Sequence, residues 1–279
     1  SNVVFSDTAY PGLLIHFQSS IKEFPCQHQG NSLMCDAGLP LMSLINFALD
    51  HSLAGLEALS GIPGTVGGAI VGNAGAYGQG ISDHLTRVEI CNPPHPNPPP
   101  RGGNFPLPLG EGARGWGVRW LSKTDCHFAY RDSVFKQAAR QNLIILRAEF
   151  ELTAGDSEAL KKKSREIIAT REKKYPPGLK CPGSFFKNVL VKNLSKTTLA
   201  LIDQSKIIDG KIPAGYLLES TGARSMRRGG VYVADYHGNL LINDGTATYQ
   251  DVITLAAKLK KLVYDRFGVA LEEEVRYVT

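Results

Sequence analysis

The chain has no apolar run of the roughly 18 to 20 residues that a bilayer-spanning helix needs. Its first residues also lack a basic stretch followed by a long apolar one. Neither a membrane span nor an export signal is expected, which places the protein in the cytoplasm with no membrane partner. No C-x-x-C pair occurs: Cys26, Cys35, Cys91, Cys126 and Cys181 are scattered, and no histidines stand around them at metal-ligand spacing. Reduced thiols and no metal site are expected. The formal net charge is only +5, without a dense Lys/Arg cluster interleaved with aromatics. Lys161, Lys162 and Lys163 sit early in a helical stretch and read as its solvated face, so no nucleic-acid partner is expected. A mild basic excess does suit an anionic small molecule.

At 279 residues the chain is long enough for two packed cores. Short strands are predicted at Val3 to Ser6, Leu13 to Phe17 and Leu33 to Cys35, with a turn at Tyr10-Pro11-Gly12. A helix over Pro40 to His51 places Leu41, Leu44, Ile45 and Ala48 on one stripe. Strand patterns at 85–92 and 117–123 suggest a hairpin joining Cys91 to Trp120. Between them, residues 93–115 hold eight of the sixteen prolines and no Val, Ile or Thr. That segment can neither pair as a strand nor pack a core, and it reads as an exposed insertion. A strand at 144–152 and a helix at 156–174, with Leu160, Ile167 and Ile168 inward, lead to Tyr175-Pro176-Pro177-Gly178. The helix stops there, and the domain boundary is expected between residues 1–175 and 176–279. A hairpin around His237-Gly238-Asn239 precedes a last helix that opens with a capping box at Thr248 and Asp251. That helix turns Val252, Leu255, Leu259, Leu262, Val263 and Phe267 inward and ends at Gly268.

Four segments carry chemistry. Residues 61–80 contain eight glycines, and no charge occurs from Ala58 to Ser82. Backbone that approaches a ligand closely and offers N–H groups to an anion needs residues without a Cβ and with access to positive φ, which Gly64, Gly67, Gly68, Gly72 and Gly75 supply. A glycine-dense turn that only lets elements pack is the alternative. The pattern is neither a Walker motif nor a dinucleotide fingerprint. Second is Tyr130-Arg131-Asp132-Ser133-x-Phe135-Lys136, a polar set that is costly to bury unless paired, with an Arg131–Asp132 pair at a domain edge as the plain alternative. Third is Gly183-Ser184-Phe185-Phe186-Lys187-Asn188, a hydroxyl beside two aromatics, which by itself fits an ordinary strand start. Last is Leu271-Glu272-Glu273-Glu274-Val275-Arg276, by itself a solvated acidic run.

Together, and in this order, these segments resemble the UDP-N-acetylenolpyruvoylglucosamine reductase family. That family shows GIPG-x-VGGA-x-x-x-NAGAYG, YR-x-S-x-FK, GS-x-FKN and a terminal L-x-PEVR. The resemblance implies an α+β protein. Its first part would be an FAD-binding fold of the vanillyl-alcohol-oxidase type, followed by a smaller α+β substrate-binding domain with the terminal strand returning to the flavin. It implies NADPH-dependent, FAD-mediated reduction of a UDP-sugar enolpyruvate in cell-wall precursor synthesis by a monomeric enzyme. Flavin contacts would be Asn2, Ile62, Pro63, Gly64, Thr65, Val66, Gly67, Gly68, Ala69, Asn73, Ala74, Gly75, Ala76 and Tyr77. Arg131 and Glu274 would stabilise charge on the reacting group, and Ser184 would donate the proton, with Lys187 and Asn188 as candidates to stabilise its alkoxide. Tyr130, Lys174, Lys187 and Asn188 would surround the substrate.

The chain departs from the family pattern in three places. It opens at Ser1-Asn2, the tail of the family's glycine-rich GSN loop, and the preceding subdomain, which helps hold the flavin pyrophosphate, is expected to be absent. Glu273 stands for the proline of L-x-PEVR. Ser220 stands where some members carry a glutamine near the reacting group, so that role is not transferred. Two rival readings are another flavin oxidoreductase on the same fold and a non-catalytic UDP-sugar-binding protein that has lost FAD.

Overall fold

Alternation of apolar and polar side chains builds the principal sheet. In the strand Ser32–Asp36, Leu33 and Cys35 are fully buried while their neighbours are half-buried. In the strand Ile144–Glu151, Ala148 and Phe150 turn inward in the same manner, and Ile145 joins them across a shift of register. The structure is a computed structural model and describes residues 2–12, 14, 16–17, 19, 26–92, 117–137 and 143–279. It divides into two compact units, Ile15–Arg171 and a second made of Ser1–Leu14 with Glu172–Thr279.

In the unit Ile15–Arg171 five antiparallel strands run in the order Gln27–Gln29, Ser32–Asp36, Ile144–Glu151, Leu85–Asn92, Gly117–Ser122. The expected hairpin forms with Cys91 opposite Val118 and Trp120 opposite Glu89, so Cys91 and Trp120 are not partners. The tip of that hairpin, with the proline-rich 93–115, lies outside the described residues. Glu89 also faces Arg147 across the sheet, and the guanidinium grips both carboxylate oxygens at 2.6 and 2.8 Å. This fork raises the Arg147 pKa and allows Glu89 to lie buried.

The helix Leu41–Asp50 starts on Pro40, whose fixed φ suits the position before a first turn. It buries Leu41, Leu44, Ile45, Ala48 and Leu49 in the same core as the sheet. The helix Ser157–Lys174 docks differently from its apolar stripe. Leu160, Ile167 and Ile168 are only half-buried, and the side chain that is fully buried is Ser164, bonded to Ser60 at 2.8 Å. Next to it Lys163 reaches the buried Glu57 at 2.9 Å, which also accepts from Gly55 N–H at 2.7 Å. Burial is the largest single influence on the Glu57 carboxyl and raises its pKa, but the bonds and the Lys163 charge together outweigh it and hold the pKa below its usual value.

The second unit begins with the strand Val3–Phe5, which pairs in parallel with Arg276–Val278 at the other end of the chain. The first fourteen residues therefore group with the C-terminal part, and the break falls between Arg171 and Glu172, inside the last helical turn before Tyr175. Three antiparallel strands, Arg227–Arg228, Val231–Val233 and Leu241–Asn243, lie beside the helix Tyr249–Phe267. That helix has the predicted capping box and ends at Gly268 with φ 67°. Leu255, Ala256, Leu259, Val263 and Phe267 are its buried side chains, and Val252 and Leu262 are half-buried. Of the expected strand at Leu13 to Phe17, Leu13 and Ile15 lie outside the described residues, and Leu14, His16 and Phe17 are not in a strand. Among the described residues no helix is long and apolar enough to cross a membrane.

Candidate functional site

The glycine stretch folds into a short helix, Val66–Val71, and a two-residue-per-strand hairpin, Gly75–Ala76 with Gln79–Gly80. Thr65 caps the helix, its Oγ1 accepting from Gly68 N–H at 3.2 Å. The glycines serve two purposes. Gly64 has φ 116°, which side chains rarely adopt. Gly67 has an ordinary helical place; there the missing Cβ lets the helix close on Ala37, whose Cβ and carbonyl O would stand 3.1 and 3.2 Å from an added methyl. The amide of Gly67 donates to Ala37 O at 2.8 Å and that of Val66 to Leu39 O at 2.9 Å. With Gly68 bonded to Thr65, the expectation of bare N–H groups at Gly67 and Gly68 is corrected: the helix start spends them on its own protein.

What this segment offers outward is an uncharged, exposed surface at Pro63, Gly64, Gly68, Tyr77 and Gly78. Among the described residues, Asn73 Oδ1 and Gln79 Oε1 are buried acceptors without a hydrogen-bond partner. Asn73 and Tyr77 hold φ of 42° and 50°, strain that persists in a native fold only where its surroundings enforce it. A flat ring system that is apolar on its faces and carries amide-type N–H at its edge fits such a surface, because it would satisfy buried carbonyl oxygens without needing a counter-charge. FAD has such a ring.

Arg131 belongs to this cluster. Its own φ is 55°, and its guanidinium donates from Nη2 to Gly75 O at 2.7 Å and from Nη1 to Asn73 O at 3.4 Å. Asn73 Nδ2 returns a bond to Ala129 O at 2.8 Å, and Lys136 Nζ donates to Arg131 O at 2.8 Å. Ser133, fully buried, fixes the same loop through Val71 O at 2.7 Å. Asp132 caps Ser133 N–H at 2.9 Å. Tyr130 lies with its ring 5.6 Å from the Arg131 guanidinium carbon. The YR-x-S motif is thus wired to the glycine stretch by side-chain and backbone bonds within one unit.

The second unit holds Ser184, Glu274, Asn2, Lys174, Lys187 and Asn188. Ser184 follows Gly183, whose φ of 87° turns the chain into the bridge that Ser184 forms with Leu240. Its Oγ meets the Tyr175 hydroxyl at 3.1 Å, and either group can donate. The adjoining backbone is clamped by the buried Asn239, which accepts from Phe186 N–H and donates to Phe186 O, each at 2.9 Å. Glu274 N–H donates to Phe185 O at 2.8 Å, and Glu274 O accepts from Asn2 Nδ2 at 3.0 Å, so the terminal strand, the Ser184 segment and Asn2 form one backbone-bonded group. Asn2 Oδ1 is another buried acceptor without a partner among the described residues.

The acidic run separates by partner. Glu272 pairs with Lys187 at 3.0 Å, and Glu273 with Lys260 at 2.9 Å. Lys187, expected as a candidate to stabilise a Ser184 alkoxide, thus has its ammonium on Glu272, and the hydroxyl contact of Ser184 is to Tyr175. Asn188 Oδ1 accepts from Ala214 N–H at 3.2 Å. Lys174 sits 5.1 Å from the Tyr175 ring centre, and its carbonyl accepts from Tyr236 OH at 3.3 Å. Burial, with the Lys174 charge adding to it, holds the neighbouring His237 down at about 4, so this imidazole is neutral at pH 7. Sequence reading missed Tyr175, Asn239 and His237. Tyr175 looked like a helix stop and the other two like hairpin-turn residues.

Comparison with known proteins converges on one group. Residues 175–278 match the C-terminal domain of UDP-N-acetylenolpyruvoylglucosamine reductase, and residues 1–94 match an FAD binding domain. A UDP-N-acetylenolpyruvoylglucosamine reductase of Solibacter usitatus is 37% identical over the whole of this chain and 80% of its own length. One from Caldanaerobacter subterraneus is 31% identical, again over all of this chain and 76% of its own length. The solved UDP-N-acetylenolpyruvylglucosamine reductase of Thermus caldophilus superposes with a TM-score of 0.61 at 25% identity, covering 88% of this chain and 72% of that one. With likeness running the length of the chain and both matched domains in the order in which its motifs stand, the chain belongs to the UDP-N-acetylenolpyruvoylglucosamine reductase family and is an FAD-dependent oxidoreductase.

Proposed function

We propose that this chain reduces the enolpyruvyl ether of UDP-N-acetylglucosamine to UDP-N-acetylmuramate with NADPH as the electron donor, a cytoplasmic step of peptidoglycan-precursor synthesis. Residues 1–175 would form the flavin-binding part and residues 176–279 the substrate-binding part. The observation that carries the reading is the clasp of Arg131 on the carbonyls of Asn73 and Gly75, which fixes a cation against an uncharged surface with unsatisfied amide oxygens.

FAD, when bound, supplies hydride to the far carbon of the enol ether after taking it from NADPH. Asn73 and Gln79 would accept from the cofactor through their buried side-chain oxygens, and 62–69 with 73–77 would wrap it. Hydride addition leaves negative charge spreading into the substrate carboxylate. A guanidinium already held in place stabilises that charge without reorganising during the reaction. Glu274 would act on the same oxygens. Ser184 would deliver the proton to the carbon that carries the charge, and the hydroxyl of Tyr175 would orient Ser184 Oγ and stabilise the oxyanion it leaves. Lys174, Lys187, Asn188 and Tyr130 would bind the remaining polar groups of substrate.

The test has two readings on the same preparation: FAD affinity by quenching of flavin fluorescence, and substrate-dependent NADPH oxidation with formation of the lactyl ether. Saturable FAD binding with turnover supports the proposal. FAD binding without turnover of the enolpyruvyl sugar contradicts the substrate assignment, and UDP-sugar binding without FAD binding marks a non-catalytic protein.

A further inference from the structure

Two of the five cysteines, Cys26 and Cys35, stand on the facing arms of the edge hairpin, and neither is among the residues assigned a role in the reaction. The hairpin turns through Gly30 and Asn31, with Gly30 at φ 58°, as a two-residue loop with glycine at its first central position requires. Its pairs are Gln29 with Ser32, His28 with Leu33 and Gln27 with Met34. The next pair in register is Cys26 with Cys35. The pair flanking a two-residue loop is hydrogen-bonded, and pair types alternate along an antiparallel ladder. Counting outward makes Cys26 and Cys35 a non-hydrogen-bonded pair, with Cα atoms about 4.5 Å apart. That separation lies inside the range of about 4.4 to 6.8 Å that a disulfide spans. The two thiols lie close enough to perturb each other's ionisation, and both are buried.

We infer that Cys26 and Cys35 form a peroxide-driven disulfide site. Three further observations bear on it. Cys26 abuts the edge strand Gln27–Gln29, whose residues are all exposed, so local fraying of a three-residue edge admits a small oxidant at low cost. Contact with the Cys35 thiol pulls Cys26 below the ordinary thiol pKa, whereas burial pushes Cys35 well above it. Cys26 is therefore the attacking sulfur and Cys35 the resolving one. Burial also raises Cys91, and raises Cys126 to about 11, so neither competes.

The chemistry balances in two steps. The Cys26 sulfur attacks one oxygen of hydrogen peroxide; the S–O bond forms, the O–O bond breaks, and the departing hydroxide takes up the proton lost by the Cys26 thiol as water. The Cys35 sulfur then attacks that sulfenic sulfur; the S–S bond forms, the S–O bond breaks, and the departing hydroxide takes the Cys35 proton as a second water. Two thiols are oxidised and one peroxide is reduced. Peroxide is the product when a reduced flavin meets oxygen, so a flavoprotein generates this oxidant itself. The bond would lie two residues from Ala37, the residue against which Gly67 seats the glycine helix.

The test is peptide mapping of the full chain after hydrogen peroxide, with acid quenching and alkylation under denaturing conditions. The expected result is joint loss of alkylation at Cys26 and Cys35, a linked peptide pair two hydrogens lighter than the sum of its parts, and full alkylation of Cys91 and Cys126. Cys35→Ser should abolish the link and leave Cys26 as an oxyacid. Three results would overturn the inference: both thiols fully alkylated at a peroxide level that oxidises the half-buried Cys181, linkage of either to another cysteine, or Cys26 trapped as an oxyacid in the unsubstituted chain.

Discussion

Arg131 is where a substitution separates a structural role from a catalytic one. Arg131→Ala removes the donors to Gly75 O at 2.7 Å and Asn73 O at 3.4 Å. The first is a charge-assisted bond worth about 1.5 to 3 kcal/mol, and the half-buried guanidinium puts it near the low end. The second is at the limit of useful geometry and adds little. The expected loss of folding stability is therefore about 1.5 kcal/mol. Withdrawal of a fixed cation from developing negative charge costs more, about 2.7 to 4 kcal/mol or roughly a hundred- to thousandfold in kcat. The catalytic loss should therefore exceed the structural one. Steady-state kcat/KM at saturating FAD and NADPH measures the first, and urea unfolding of the same preparation measures the second. Arg131→Lys keeps the charge without the two-nitrogen fork and should recover part of kcat/KM. If Arg131→Ala keeps kcat/KM within about threefold while losing FAD affinity, Arg131 is a clamp for the hairpin and its assignment to substrate charge is refuted.

Gly67→Ala should destabilise the fold by about 1 kcal/mol: overpacking of about 1 to 3 kcal/mol against the Ala37 backbone outweighs the gain of about 0.8 to 1.0 kcal/mol in helix propensity. An unchanged melting temperature would show that the strand end at Ala37 yields freely. His237 is held at about 4 by burial, so the unfolded chain binds more protons than the folded one between pH 4 and about 6.5. Its contribution to stability is complete above pH 6.5 and declines as pH falls toward 4, and His237→Gln should flatten that part of the urea-stability profile. A profile of equal slope in the variant would remove His237 as the cause. Asn239→Ala leaves the N–H and C=O of Phe186 without their side-chain partner in a buried place and should cost about 2 to 4 kcal/mol in a chemical-denaturation measurement. A loss under about 0.5 kcal/mol would mean that the Ser184 segment is held by other bonds.

Much of the fold was legible wherever one periodicity dominated. The helix Leu41–Asp50 and the helix Tyr249–Phe267 carry their buried stripes in plain order, the second with its capping box and terminal glycine, and the strand Ser32–Asp36 carries its alternation. The helix Ser157–Lys174 shows where such reading stops. Its docking depends on Ser164 with Ser60 and on Lys163 with Glu57, pairs about a hundred residues apart that in sequence look like solvated surface. The site divides likewise. Glycine density marked the segment 61–80, but not that Gly67 makes room for Ala37 while Gly64 supplies the positive φ. Ser184 was marked as a candidate by its motif. Its neighbour Tyr175 was not, because a tyrosine before two prolines announces a helix end and nothing about which hydroxyl it will meet. Register too stays hidden until the turn is known, which is why Cys91 and Trp120 miss each other.

The most direct trial of the proposed chemistry follows the two half-reactions of Ser184→Ala by rapid-mixing absorbance of the flavin. Reduction by NADPH should proceed at nearly the unsubstituted rate, because no proton from Ser184 enters it, and reoxidation by the enolpyruvyl sugar should slow by about a hundredfold or more. Equal slowing of both half-reactions, or reoxidation as fast as in the unsubstituted enzyme, would contradict a proton-donating Ser184.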